Sequence, residues 1–302
     1  MDVNPLSEPE TISQIIFRNT CVKSYFFLLS SDRGAEKSGS MVMNAQYIVE
    51  SIGHGVAEAL TTNQLFLGIE EDAFRNADIH PEYVTTVEVA KKLTAPDRIV
   101  SLETHMKELR WHAQGLARMH ANFNPNKIAT INQSLARYQF GRKDRARIDI
   151  LVRSSDTSSA PLLIAEAKLG VKNLPGIIRD VERVTKLLSM YHDLNLLSSH
   201  VIYGAVVFHL MEEGEKVKAR KKKAQTLLAN IEAYLRDLRS KNSWINARVG
   251  LLNHGAKAKP TTGYKEIHED GTEELVFAKN SFTFAPGLVL IGNAADVNTA
   301  TF

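Results

Sequence analysis

Three side chains near the middle of the chain carry the chemistry that the sequence offers most clearly: Asp149, Glu166 and Lys168. Asp149 lies in Arg147-Ile148-Asp149-Ile150-Leu151-Val152, where Ile148, Ile150 and Val152 alternate with Asp149, Leu151 and Arg153. That is the period-two pattern of a strand. Glu166 and Lys168 lie in a second apolar run, Leu162 to Leu169, and the gap between the runs, Ser154 to Ala160, has turn composition. The pattern predicts an antiparallel hairpin with Asp149 almost opposite Glu166. Directly opposed side chains have Cβ atoms about 4.5–5.5 Å apart. Two carboxylates that close repel and are costly to bury unpaired, and a hard divalent cation such as Mg²⁺ between them removes the conflict. Lys168, two residues beyond Glu166, points to the same face. A hairpin with a surface Glu–Lys ion pair would need no such chemistry, but lone charges are rarely tolerated in an apolar run of this kind.

A strand bearing Asp149, followed by a strand bearing Glu166-Ala167-Lys168, resembles the PD-(D/E)xK nuclease superfamily. The resemblance covers residues 80 to 211. Ile148 stands where the motif's proline would be, a departure shared by many members. The resemblance implies a restriction-endonuclease-like α/β fold, with a mixed central sheet flanked by helices, and a metal-dependent hydrolysis of phosphodiester bonds in nucleic acid, most readily DNA. Asp149 and Glu166 would hold Mg²⁺, or Mn²⁺ in its place, together with the carbonyl of Ala167. Lys168 would orient the nucleophile or stabilise the pentavalent transition state. The superfamily's first helix often adds an acidic ligand. Glu82 is the choice here, with a plain helix-start charge as the alternative and Glu50, Glu58, Glu103 and Glu108 as rivals. An endonuclease acting in antiviral defence against foreign DNA follows by analogy of fold alone. The alternative function is a catalytically silent nuclease-like domain that binds nucleic acid or a partner protein. An activating partner protein and a homodimer are compatible with either.

Two basic clusters flank these elements. Arg142, Lys143, Arg145 and Arg147 immediately precede the Asp149 strand and could contact the phosphate backbone; a solvated turn is the other reading. The run from Lys216 to Lys223 opens a long helix, where it opposes the helix macrodipole. Polyanion contact would explain it, as would a solvated face.

The remaining elements must position the site. Asn44 to Leu60 has helical periodicity, with His54 between Gly53 and Gly55 read as part of a helix-packing glycine pair. Pro81 to Leu93 begins with Pro and Glu, as helices do. Arg98 to Leu102 reads as a strand, and His105 to Asn122 as a helix whose His105, His112 and His120 are spaced seven and eight apart rather than four, which argues against metal ligation. The segment from Asn173 gives a helix with a wide apolar face formed by Ile177, Val181, Val184 and Leu188, with Arg179, Asp180 and Arg183 off that face. Val201 to Phe208 is almost wholly apolar, as in a strand buried on both sides. Glu215 to Leu238 reads as a long helix. Strands are expected at Ile15–Phe17, Tyr25–Leu29, Ile245–Leu252, Thr272–Phe277 and Leu288–Ile291, with a hairpin turn at Glu269-Asp270-Gly271. The organisation expected is an N-terminal α/β extension (1–80), a nuclease core (81–211) with an insertion at 104–140, and a C-terminal helix and β-rich extension (212–302).

Bulk properties bound these readings. The 302 residues, 44% hydrophobic and 24% charged, can bury a sizeable core, and a net charge of +3 makes local clusters more informative than the total. Cys21 is the only cysteine, which excludes an intrachain disulfide or a cysteine zinc site and fits a reducing, cytoplasmic setting. No signal peptide and no membrane span are expected. Neither a Gly-x-Ser-x-Gly elbow nor a dinucleotide glycine pattern is found.

Overall fold

Alternation along one strand explains the layering. In Tyr203–Glu212, Ala205 and Val207 face one layer of helices while Val206 and Phe208 face the other, and all four are buried. Such a strand must sit inside a sheet covered on both faces, and it does. The computed structural model describes residues 43–67, 81–138, 146–155, 159–171, 174–197, 201–212, 217–252, 264–267, 273–276 and 283–302. The described elements are α1 (Ala45–Leu67), α2 (Pro81–Leu93), β1 (Arg98–His105), α3 (Met106–His120), α4 (Pro125–Ala136), β2 (Arg147–Ser154), β3 (Leu163–Val171) and α5 (Leu174–Asp193). These are followed by β4 (Tyr203–Glu212), α6 (Val217–Lys241), β5 (Asn246–Leu251), β6 (Tyr264–Ile267), β7 (Glu273–Val276) and β8 (Thr283–Gly292).

The protein is α/β, with a six-stranded mixed sheet in the order β1-β2-β3-β4-β8-β5 and helices on its faces. β1, β2 and β3 pair antiparallel, β3 and β4 pair parallel across α5, and β8 pairs antiparallel with both β4 and β5. The parallel pair requires a crossover, which α5 supplies. β8 and β5, which the sequence places in a C-terminal extension, complete the central sheet. β6 and β7 form a separate antiparallel pair; the turn expected at Glu269-Asp270-Gly271 lies outside the described residues, as do the strands expected at 15–17 and 25–29.

Each face has its own apolar layer. Ile48, Ile52 and Val56 of α1 and Val89 and Leu93 of α2 pack on Ile150, Val152, Leu163, Ala165, Val207 and Leu290. On the other face Val181, Val184 and Leu188 of α5, with Leu109 and Leu116 of α3 and Ile231 and Leu235 of α6, pack on Ile164, Val206, Phe208 and Ile291. Among the described residues no helix is long and apolar enough to cross a membrane.

Local signals explain where the helices start. The Asn44 carboxamide accepts the Tyr47 N–H (2.8 Å) ahead of α1. Asn124 accepts the N–H groups of Asn126 and Lys127, with Pro125 as the first residue of α4, an ordinary N-cap. The segment at 104–140 therefore holds two helices, where periodicity suggests one to Asn122.

Gly55 in α1 is a packing device. A Cβ on Gly55 would lie 2.5 Å from the Val89 Cα, so α1 and α2 approach only because position 55 has no side chain. His54 is exposed between its two buried neighbours. Gly55→Ala is expected to destabilise the protein by about 1–3 kcal/mol through overpacking. Chemical denaturation measures this; an unchanged midpoint would show that the helix pair can slide apart at no cost.

Candidate active site

The β2–β3 register is Ile150↔Ala165, Leu151↔Ile164 and Val152↔Leu163. Continued by one residue it sets Asp149 opposite Glu166, where the described ladder stops. There the Asp149 carboxylate takes over: its Oδ2 accepts the Ala167 N–H at 2.7 Å. The predicted hairpin is therefore present, and its two acids lie at the point where the strands part. On the other side Glu103, in the matching position of β1, has a left-handed backbone (φ 52°), which few non-glycine residues adopt. The β3–β4 ladder also shifts register just after Lys168, between Lys168 and Val171. Irregularities of this kind re-aim side chains.

Glu166 shares a sheet face with Ile164 and Val206, and so looks toward α5. It is almost fully buried, at 2% exposure. Its Oε1 accepts from Arg183 Nη1 at 2.8 Å. Arg183 Nη2 lies 3.3 Å from Asp180 Oδ1. Lys168 Nζ lies 3.8 Å from Asp180 Oδ2 and 3.7 Å from Glu82 Oε1. Six charged side chains from β2, β3, α2 and α5 thus converge: Glu82, Asp149, Glu166 and Asp180 against Lys168 and Arg183.

Sequence periodicity set Asp180 and Arg183 off the buried face of α5. The structure corrects this for Asp180, which is buried at 2% exposure and faces the sheet. The signal was present: position 180 falls three residues after Ile177 and four before Val184, on the apolar stripe itself. Of the rivals to Glu82, Glu58 pairs with Lys92, Glu103 with Arg147, and Glu50 accepts from Gln46. Glu108 is exposed on α3. Only Glu82 among them is paired with Lys168. Arg147 is half-exposed and 3.7 Å from Glu103, so it begins β2 with a partner on β1. Arg142, Lys143 and Arg145 lie outside the described residues. So does Lys216, and of the remaining run Lys222 and Lys223 are exposed on α6. His112 Nδ1 meets the Tyr191 hydroxyl at 3.1 Å.

The electrostatics follow from burial. Burial pushes the Glu166 carboxyl up to about 8; the charge of Asp149 adds to this, and the Arg183 contact only partly offsets it. Burial likewise raises Asp180, opposed by Lys168 and Arg183. Burial works against the charge of Arg183, yet the carboxylates around it win and hold it above its ordinary value.

Four carboxyl groups face two cations, so once Glu166 ionises the charge left over matches that of a divalent ion, and the donors are all hard oxygens. Among the described residues no three acid, histidine or cysteine side chains are already gathered as a ligand set. The Arg183 guanidinium sits on the Glu166 oxygen instead. The residues present fit a hard dication on the condition that Glu166 exchanges one cation for another.

That exchange has a pH signature. The folded-state value of Glu166, about 8, is above its ordinary value of 4.5. A raised value stabilises the folded state below the unfolded pKa and loses that contribution as pH rises through the folded one. The metal-free protein is therefore expected to lose stability between about pH 4.5 and pH 8 from this group, with a slope of at most about 1.4 kcal/mol per pH unit. Divalent binding, which releases the Glu166 proton, should strengthen over the same window. The rise in melting temperature caused by Mg²⁺, measured from pH 5.5 to 9, should grow with pH; a constant rise would exclude Glu166 as a ligand.

A cavity of about 640 Å³ opens at the opposite ends of β2, β3 and β4, lined by Asp97, Arg98, Ser154, Tyr203 and Asp296 among others. Its acids are engaged structurally: Asp296 accepts from the Tyr203 hydroxyl (2.9 Å) and the Ala45 N–H (2.8 Å), and Asp97 lies 3.6 Å from Arg98. Among its described lining residues there is no counterpart to the acid–acid–lysine convergence at the open β2–β3 end. Comparison with known proteins gives no relative: no family model, no curated protein and no solved structure matches the chain.

Proposed function

We propose that the protein is a metal-dependent nuclease of the PD-(D/E)xK type, hydrolysing phosphodiester bonds of nucleic acid, with DNA as the leading substrate. The observation that carries the reading is the convergence of Asp149, Glu166 and Lys168 at the parting of β2 and β3, where burial makes an unpaired Glu166 unfavourable. Asp149 and Glu166 would hold Mg²⁺ or Mn²⁺, with the Ala167 carbonyl as a further donor. A bound dication supplies Lewis-acid stabilisation of the phosphate and lowers the pKa of a coordinated water.

The chain's own residues do the rest. The Ala167 N–H fixes one oxygen of Asp149 and so orients the other. Lys168, 37% exposed, can reach a phosphate or the attacking water, and Asp180 and Glu82 hold its ammonium at the site in the meantime. Asp180 and Glu82 are positioning residues in this scheme. Arg183, 35% exposed and 2.8 Å from Glu166, would be the group to meet the charge that develops on the phosphate if Glu166 served as a metal ligand.

The same cluster with its acids and lysine intact is what a catalytically silent binding domain would lack, and this favours an enzyme. Incubating the purified protein with Mg²⁺, Mn²⁺ or EDTA and a panel of linear, circular and single-stranded DNA and RNA tests the reading. Cleavage is expected with either metal and none with EDTA. Binding without cleavage under every condition would replace the enzyme with the binding domain. Defence against foreign DNA and control by a partner protein belong to the same proposal, and rest on the class of protein rather than on any residue.

A further inference from the structure

The α3–α4 hairpin, inserted between β1 and β2, shows a side-chain pattern that neither the core nor the candidate active site uses. Trp111 is 55% exposed, Met119 45% and Phe123 66%, and these are three of the five large apolar side chains exposed among the described residues. Burial of a tryptophan is strongly favoured, so one left open on a well-packed helix invites a partner. Lys107, one turn earlier, places its Nζ 4.7 Å from the centre of the Trp111 ring. Gly115, one turn later, has nothing within 4 Å of where a Cβ would be. Glycine inside a helix costs about 1 kcal/mol relative to alanine, and among the described residues no packing contact requires it. It leaves a bare stretch of helix beside the indole.

The end of the helix repeats the theme. Asn122 (φ 49°) and Phe123 (φ 54°) both take left-handed backbone. The Phe123 N–H is tied to the Arg118 carbonyl at 3.1 Å, which holds the turn while the ring points to solvent. A bulky side chain is uncommon in that conformation. Trp111 stands nine residues before the end of α3 at His120, about 14 Å of helix, with Phe123 in the turn just beyond, a span of about four stacked bases at 3.4 Å each. Between residues 106 and 136 the charged side chains are Lys107, Arg110, Arg118 and Lys127 against Glu108 alone. Exposed rings interleaved with cations and almost no acid suit a polyanion with flat apolar faces.

We propose that α3 is a stacking platform for unpaired nucleic acid: Trp111 and Phe123 stack on bases while Lys107 meets the phosphates. This rests on the nuclease reading and narrows it, because a duplex offers no free base face. The substrate would be a single strand, a frayed end or a flap, fed from α3 toward the start of β2, where the Ala146 carbonyl accepts the N–H of Met106, the first residue of α3.

The test uses the full chain without metal, so that binding is read apart from cleavage. Trp244 is the other tryptophan and stacks on His192 with ring centres 4.3 Å apart. Trp244→Phe keeps an aromatic ring there and leaves Trp111 as the only tryptophan. Oligo-dT and oligo-U titrated into this protein should quench its fluorescence, and comparing them distinguishes DNA from RNA. An abasic oligomer of equal length should quench little. Trp111→Ala should weaken oligonucleotide binding by about tenfold with unchanged unfolding. Gly115→Leu should also weaken it, while leaving the melting temperature equal or higher; a purely structural role would not produce that opposition. Equal affinity of the Trp111→Ala and wild-type proteins, equal quenching by the abasic oligomer, or Trp111→Ala altering only self-association in sedimentation would overturn the platform. The two readings fail separately. A protein that binds through Trp111 and never cleaves keeps the platform and loses the nuclease, whereas cleavage unimpaired by Trp111→Ala does the reverse.

Discussion

Replacement of Glu166 by glutamine is expected to abolish cleavage, by about 10³-fold or more, while leaving the fold as stable as before. The two halves of this expectation have different origins. Glutamine keeps the shape and still accepts from Arg183, but it cannot supply the anionic oxygen that a dication requires. A single lost electrostatic interaction at a reacting centre costs about 10²–10³-fold, and loss of a metal ligand should exceed that. Stability should change by less than about 1 kcal/mol, because the carboxyl is already raised to about 8 by burial and by Asp149 and is therefore close to neutral in the metal-free protein. Lys168→Ala should lower turnover by about 10²–10³-fold without loss of metal binding. Steady-state cleavage with denaturation curves on the same preparations measures both. Full activity in either variant would remove that residue from the chemistry. Unfolding of Glu166→Gln would show that the ionised carboxylate is structural.

Arg183→Met should produce the largest change in the metal-free protein. It leaves Glu166 and Asp180, each 2% exposed, without the guanidinium that bridges them at 2.8 and 3.3 Å. With Glu166 close to neutral, the charged pair that is broken is Asp180–Arg183, and breaking a fully buried pair costs about 3–5 kcal/mol. Arg183 itself is 35% exposed, so solvent screening reduces this to about 2–3 kcal/mol, or a fall in melting temperature of roughly 4–12 °C for a chain of this size. Mg²⁺ or Mn²⁺ should restore much of the loss, and should bind more tightly than to wild type because no internal cation has to leave. Thermal unfolding with and without metal, together with calorimetric titration, tests this. A destabilised variant that metal does not rescue would make the Glu166–Arg183–Asp180 cluster a purely structural network.

The reach of the sequence can be judged from particular residues. The hairpin was legible because residues 148–152 are rich in β-branched apolar side chains and the Ser-rich gap has turn chemistry; β2 and β3 pair antiparallel, with Ile150 and Val152 in one layer and Ile148 and Leu151 in the other. The bounds of α2 were legible from Pro81 and Glu82 at one end and Leu93 at the other. The double-sided burial of β4 was legible from its unbroken apolar run. The sheet order was not, because β8 inserts between β4 and β5 by contacts remote in sequence that periodicity does not encode. Nor was the pairing of Asp180 and Arg183, although the place of Asp180 on the apolar stripe was. A single buried acid on a helical stripe reads as an exposed charge unless its partners are known, and those partners lie on β3. Glu82 could be named only as one acid among several, since its approach to Lys168 depends on how α2 packs against the sheet. Of the basic cluster before β2, Arg142, Lys143 and Arg145 lie outside the described residues, and Arg147 is placed 3.7 Å from Glu103.

The central claim is that a divalent ion held by Asp149 and Glu166 acts directly on the scissile phosphate. Replacing a non-bridging oxygen of that phosphate by sulfur tests this most directly, since Mg²⁺ prefers oxygen ligands and softer ions accept sulfur. On whichever substrate the wild-type protein cuts, the account predicts that Mg²⁺-supported cleavage falls sharply at the sulfur-substituted linkage and that Mn²⁺ restores it, with no cleavage of either linkage in EDTA. Equal cleavage of both linkages in Mg²⁺, cleavage in EDTA, or no cleavage of any polymer with either metal would contradict it.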